Sequence, residues 1–318
     1  MDRSDDHSEQ AVHVVVTCTN RKRVPADDRL RVRSLEAGTV GMRFRSWLER
    51  LEAAEVRVPA RDLYAGEHWL IANDLAKTLG ADAHFWVCSA GYGLIPAATP
   101  IAAYAATFAS GHEDSVAEGV DGAREWWRQL CRWEGPQAGQ PRSFEELANQ
   151  HPDSAIVAVL SEPYLRACAS DLRAAASRLA ESDNLAVIGP ADRSPELADL
   201  IVPVTAALRA LVGGSLLSLN VRVARRLLQD SRDQGVRRSL LLKLMETLTA
   251  EVPEQVRRQP GIRMTDEEVR SFIRHHGKGF RSATPLLRKL RSSGLSCEQA
   301  RFRTLFLDEV SRLAEGRE

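Results

Sequence analysis

Phe85–Tyr104 reads FWVCSAGYGLIPAATPIAAY. Phe85 to Cys88 is a short apolar run of β-forming residues, the pattern of a buried strand, and it stops at Ser89. In Ala90-Gly91-Tyr92-Gly93 the two glycines permit backbone angles or close approaches that a Cβ would block. Leu94-Ile95-Pro96 and Thr99-Pro100-Ile101 then continue as an extended, proline-stiffened segment. A buried strand that opens into a glycine-aromatic loop at its carboxyl end is where open α/β sheets bind ligands. The same spacing also fits a tight turn around a packed tyrosine.

Outward from this stretch the chain alternates strands with helices. Val12–Val16 is a β-branched run typical of a central parallel strand, and it ends in the small, then basic, residues Thr17 to Arg23. Met42–Glu55 has helical spacing, with Phe44, Trp47, Leu48 and Leu51 on one face. A second helix spans about Glu67 to Leu79 and is ended by Gly80. Phe108–Val120 reads as an exposed loop, and Gly122–Trp133 as a helix whose tryptophans fit a core face. Ser143-Phe144-Glu145-Glu146 has the capping-box pattern of a short helix. Ser154–Ser161, Leu185–Ile188 and Leu200–Val204 supply further strands, with Pro163 opening a helix between the first two. The expected class is therefore α/β: a three-layer α/β/α domain with a mainly parallel sheet over residues 12–212. Residues 1–11 read as a disordered lead-in, 213–262 as a helical connector with its linker at Pro253–Pro260, and 263–318 as a separate helical domain.

Composition bounds the function classes. Hydrophobic residues make up 44% of the 318 positions and charged residues 27%, ordinary for a globular protein. The formal net charge is zero, yet Val221 onward holds 21 Lys+Arg against 13 Asp+Glu, so the tail is +8 and the body −8. A basic tail on an acidic body points to an anionic partner. The five cysteines are scattered and form no CxxC pair, so neither a disulfide framework nor a cysteine zinc site is expected. No cofactor and no metal are expected. The acidic N-terminus and the lack of a long apolar run point to a cytoplasmic protein with no membrane partner.

In the tail, Thr265-Asp266-Glu267-Glu268 is a capping box, Thr284-Pro285 reads as a cap with proline at the first helical position, and Ser296-Cys297-Glu298-Gln299 as a second capping box. Two helices flanking Gly294 give the outline of a helix-turn-helix. From Arg270 to Arg303 there are nine Lys+Arg and one acid. Arg281, Arg288, Lys289, Arg291, Arg301 and Arg303 are the candidate phosphate contacts, and Gln299 and Arg301 could reach base edges from the start of the second helix. Gln299 also fits a plain helix cap, and a three-helix unit equally serves a protein partner or a homodimer.

Three motifs then carry a resemblance. Cys18 to Lys22, Asp62-Leu63-Tyr64-Ala65-Gly66, and Ser89-Ala90-Gly91-Tyr92-Gly93-Leu94 with Pro96 and Tyr104 resemble the motifs of the YaaA-type family and related uncharacterised domains. The resemblance covers roughly residues 12 to 220 and is thin beyond Tyr104. Gly91 stands where that pattern often has a lysine, so no role of that lysine carries over. Relatives of the group are similar to a domain of archaeosine synthase and, more distantly, to the uracil-DNA glycosylase fold. The resemblance implies a three-layer domain and a taste for nucleobases or nucleic acid, and fold analogy alone names no reaction.

Read physically, Thr17, Cys18, Thr19, Asn20 and Ser89 offer polar groups, Lys22 and Arg61 positive charge for a phosphate, and Asp62 an acid. Tyr64, Tyr92 and Tyr104, with Gly93 beside them, could stack on a base, as base-acting enzymes require. Asp62, Ser89 and Asn20 are the candidate catalytic residues, the others substrate-binding. Asp62 also fits a helix cap, and the tyrosines also fit plain packing. The expectation is a nucleic-acid-associated protein that acts on a nucleobase or nucleoside in DNA or RNA. The alternative is a non-catalytic DNA-binding sensor or regulatory subunit of a DNA-modification or phage-defence system.

Overall fold

The structure is a computed structural model and describes residues 10–80, 83–190, 194–232, 234–253, 261–277, 280 and 282–315. The expected lead-in lies almost wholly outside the described residues, as does Arg281. By its contacts the chain divides into two units, Met1–Val252 and Pro253–Glu318.

In chain order the first unit comprises β1 (Val12–Thr17), α1 (Val40–Glu52), β2 (Val58–Pro59), α2 (Ala60–Leu63), α3 (Glu67–Leu79), β3 (Ala83–Ser89), β4 (Gly93–Pro96) and β5 (Pro100–Ile101). It continues with α4 (Gly119–Arg132), α5 (Phe144–Gln150), β6 (Ala155–Val159), α6 (Glu162–Arg178), β7 (Leu185–Gly189), β8 (Ile201–Pro203), α7 (Arg209–Val212), α8 (Leu219–Asp230) and α9 (Arg238–Ala250). Six strands form one sheet in the order β4-β3-β1-β6-β7-β8. All neighbours pair parallel except β4, which folds back antiparallel on β3. The segment Leu94–Pro96 is therefore an edge strand, the position a proline tolerates.

The β-branched runs become central strands because both faces are covered. Every residue of β1, β6 and β7 is buried. Parallel crossovers run from β1 through α3 to β3 and from β6 through α6 to β7, in opposite directions along the sheet. With the right-handed sense that such connections take, this sets α3 and α6 on opposite faces. Helices α8 and α9 join α3's layer by packing on α3, β6, β7 and β8, while α4 and α5 pack on α6 and α1 packs on α4. Of the stretch 213–262 expected as a helical connector, residues 213–252 thus belong to the sheet domain.

Local signals explain the helix ends. Thr39 Oγ1 accepts from Met42 N at 3.3 Å to open α1, and Ser143 Oγ accepts from Glu146 N at 3.0 Å to open α5. Gly80 stops α3 at φ +100°. Near the amino end of β1, His13 is buried, takes the Trp86 indole N–H on Nδ1 at 3.0 Å, and lies against His84 and His151 with ring centroids 4.9 and 4.6 Å away. Burial, reinforced by the two neighbouring imidazoles, pushes its pKa down to about 3.

The second unit holds β9 (Ile262–Arg263), α10 (Asp266–His276), α11 (Ala283–Ser292), β10 (Leu295–Ser296) and α12 (Gln299–Glu315). Its core is Val269, Ile273, Leu286, Leu287, Leu290, Cys297, Phe302, Leu305 and Phe306. The Thr265–Glu268 capping box forms with both of its hydrogen bonds. The other two caps differ from expectation. Ser282 holds the N-cap position of α11 without a side-chain capping hydrogen bond, and Thr284-Pro285 lie inside the first turn. Ser296 pairs in the parallel β9–β10 ribbon and donates to Gly261 O at 2.8 Å, leaving no capping box before α12.

Among the described residues no single helix is long and apolar enough to cross a membrane. One pair, 206–212 with 216–230, passes by length and composition together but bends by 88° between its halves.

Candidate functional site

The two crossovers part between β1 and β6, the switch point at which open α/β sheets leave a crevice beyond their carboxyl ends. Thr17 closes β1 there. Its Oγ1 accepts from Ser161 N at 3.1 Å and lies 3.4 Å from Val159 O, tying β1 to the entry of α6. Cys18 Sγ lies 3.1 Å from Tyr164 Oη on α6. Thr19 Oγ1 sits 2.8 Å from Arg21 O and 3.2 Å from Ala65 O. An isolated bridge pairs Lys22 with Tyr64, flanked by Arg23 N→Leu63 O at 2.8 Å and Ala65 N→Arg21 O at 2.9 Å. The turn after β1 is thereby sewn to the Asp62–Gly66 motif.

Lys22 lies half-buried across this junction. Its ammonium donates to Thr19 O at 3.2 Å and stands 4.2 Å from the Tyr104 ring centroid and 5.5 Å from that of Tyr64. Burial lowers its pKa, against smaller opposing effects of Cys18 and Asp114.

Beneath it the tyrosines form a closed core. Tyr104 Oη lies 2.8 Å from Tyr64 Oη and 2.6 Å from Ser89 Oγ, and Ser89 Oγ also accepts from Gly91 N and Tyr92 N. Tyr92 stands edge-on to Tyr104, and its hydroxyl accepts from Ala102 N at 3.0 Å. All three rings are at most 2% exposed, and burial raises each phenol, that of Tyr92 to about 12. Tyr64 and Tyr104 are enclosed on all sides, and Tyr92 borders only a small cavity of about 100 Å³ that it shares with Trp133. A Cβ on Gly91 would fall 2.4 Å from Tyr104 Cε2, so this position admits no side chain unless the ring moves. Gly93 takes φ +75° in the turn into β4. Arg142 secures that turn with donations to Tyr92 O, to Leu94 O at 2.7 Å and to Trp133 O at 3.1 Å, and burial lowers its pKa to about 10.

The three candidate catalytic residues are not alike in setting. Asn20 and Asp62 are exposed, and Asp62 meets Arg61 at a loose 3.9 Å with both side chains more than half in solvent. Ser89 is fully buried, its oxygen shared among two amides and Tyr104.

Sequence reasoning missed three residues. Asp114 sits in the stretch expected as an exposed loop, yet it is 3% exposed and accepts from Arg33 N at 3.3 Å, because Phe108, Val116 and Ala117 are buried on either side. The bridge Thr107↔Ser115 folds this loop on itself. The apolar residues flanking Asp114 were the available signal. His68 Nε2 lies 3.1 Å from Thr17 O, and burial lowers its pKa. Tyr164 had no signal beyond its helix. Two larger clefts also border the motifs. One of about 530 Å³ is walled by Val24, Leu30, Val58, Leu63, Ile101 and Ala102, within the size range of small-molecule sites. A groove of about 460 Å³ runs past Arg21, Ala65, Gly66, Glu67, Leu70 and Arg222. Among the described residues no group of three His, Cys, Asp or Glu side chains could hold a metal ion.

In the second unit the cations divide into two sets. Arg270 binds Asp308 at 3.1 Å and Glu309 at 3.2 Å, Arg274 binds Glu267 at 2.8 Å, and Arg301 binds Asp266 while its Nη1 donates to Met264 O at 3.1 Å. Arg291 donates to Cys297 O at 3.1 Å. Arg288 and Arg303 are exposed and make no ion pair among the described residues; exposed Lys289 reaches only His276 Nδ1, at 3.4 Å. Gln299, the first residue of α12, is exposed. No family model, curated protein or solved structure matches this chain.

Proposed function

We propose that the protein is nucleic-acid-associated and that its C-terminal unit binds DNA, or failing that RNA, through α11 and the start of α12. The observation that carries this reading is the division among the cations. Where arginines serve the fold they face acids, whereas Arg288, Lys289 and Arg303 keep their charges in solvent. Unpaired surface cations are what phosphate neutralisation uses, since each contact releases counterions.

A fluorescence anisotropy titration of the whole chain against duplex DNA, single strands and tRNA tests it. Binding should weaken with salt. Replacing Arg288, Lys289 and Arg303 together by alanine should flatten the log–log slope by about one unit per lost phosphate contact. Absence of binding to all three at low salt would refute the reading.

For the α/β domain, action on a nucleobase or nucleoside is supported by an amine, a thiol, a carboxylate and phenols gathered at the switch point. The non-catalytic alternative, a sensor or regulatory subunit, is favoured by the burial of Tyr64, Tyr92 and Tyr104, the rings expected to stack on a base. Mass spectrometry of nucleosides from DNA and RNA incubated with the protein separates the two: a changed or released base supports the enzyme.

A further inference from the structure

We infer that the C-terminal unit takes an unpaired nucleobase of a single strand into a shallow pocket on α10, where the base stacks on Phe272 beside Lys289. The inference rests on the nucleic-acid reading of this unit and names the form of nucleic acid it prefers.

The pocket follows from spacing along α10. Val269 and Ile273 turn into the core of the unit, and Glu268, Ser271, Phe272, His275 and His276 recur at three- and four-residue intervals on the neighbouring face. With Met264, from the turn before the helix, they line a cavity of about 330 Å³ that opens to solvent. Phe272 packs on the core at one side only and stays half-buried. The His276 ring lies 4.6 Å from it at a tilt of 51°, and both His275 and His276 are exposed. Accessible aromatic rings are the platforms on which single-strand binders stack bases, because every base has a π-face. In a duplex the bases already stack on one another, so none is free to enter.

The charges around the pocket suit a phosphate backbone. Lys289 on α11 stands 3.4 Å from His276 Nδ1, so one of the cations that carry the phosphate reading borders the pocket. Glu268, the one acid in the lining, is committed to the α10 cap, where its Oε2 accepts from Thr265 N at 2.7 Å and from Thr265 Oγ1 at 2.9 Å. The neighbouring Glu267 is held by Arg274 at 2.8 Å. A ring for the base and a cation for the phosphate are the two components of sequence-tolerant single-strand binding, and here they stand side by side.

Anisotropy titrations of the whole chain at one low salt concentration test this with three probes of equal length. They are a mixed-sequence DNA single strand, the same sequence as a duplex, and a strand of abasic tetrahydrofuran units that keeps the phosphates and lacks the bases. The base-bearing strand should bind at least about fivefold more tightly than the abasic one, the least that a lost base–aromatic stack costs. It should also outbind the duplex. Phe272→Leu keeps an apolar residue at the edge of the core and removes the ring. It should weaken the base-bearing strand by a similar factor, while the abasic strand and the slope of affinity against salt stay at wild-type values. Equal affinity for the base-bearing and abasic strands, or a preference for the duplex, would overturn the proposal, and these comparisons need no variant. If that result comes with binding that still weakens with salt, the phosphate contacts stand and the pocket falls. No binding to any probe removes both.

Discussion

His13 makes the α/β domain sensitive to acid, and the size of the effect follows from its surroundings. The ring is 1% exposed, its Nδ1 takes the Trp86 indole N–H, and Nε2 is buried without a partner. An imidazolium there would lose the Trp86 bond and face His84 and His151, so the folded pKa falls from 6.5 to about 3. The unfolded chain then binds a proton that the folded chain refuses between these two values. Stability from this group is complete above pH 6.5 and is lost as pH falls toward 3. At about 1.4 kcal/mol per pKa unit the full loss is on the order of 5 kcal/mol, much of a typical domain's stability. Asp171 works in the opposite direction. Burial raises its pKa to about 6 despite three N–H donors, so its contribution fades as pH rises from about 4 to 6. The variant His13→Asn isolates the histidine, because its amide oxygen can still accept from Trp86 and nothing at that position titrates. Urea unfolding of wild type and variant from pH 4 to 8 reads the outcome. Between pH 6 and 4 the wild type should lose about 1.4 kcal/mol more per pH unit than the variant. Parallel curves would refute the argument.

Two further outcomes concern the loop after β3. Gly91→Ala puts a methyl 2.4 Å from a fully buried ring, so it should cost about 1–3 kcal/mol and displace Tyr104 from Ser89 and Tyr64. A denaturant midpoint equal to wild type would show that the ring moves freely. Arg142→Met leaves three carbonyls without their guanidinium donor in a buried turn and should destabilise by about 3–5 kcal/mol, read as a drop in Tm. A loss below about 1 kcal/mol would mean that water replaces the guanidinium.

The amino-acid sequence by itself determined the layer order of the first unit. Val12–Val16, Phe85–Cys88 and Ile156–Leu160 are uninterrupted apolar runs with helical stretches between, and only a parallel, doubly covered sheet buries such runs on both faces. The Thr265 capping box was legible for the same reason: its partners lie three residues apart, so the signal is local. What the tertiary structure decided is which polar side chains face solvent, a matter of pairings across long stretches of chain. Tyr64 meets Tyr104 over 40 residues and Cys18 meets Tyr164 over 146, and no periodicity encodes either contact. The tail shows the same division. A count between Arg270 and Arg303 finds nine cations and one acid, yet Asp266, Glu267, Asp308 and Glu309 stand just outside that window and reach in to bind Arg270, Arg274 and Arg301. Composition sums charge along the chain, whereas a free cation depends on which carboxylate the packing of α10 against α12 brings within hydrogen-bond reach.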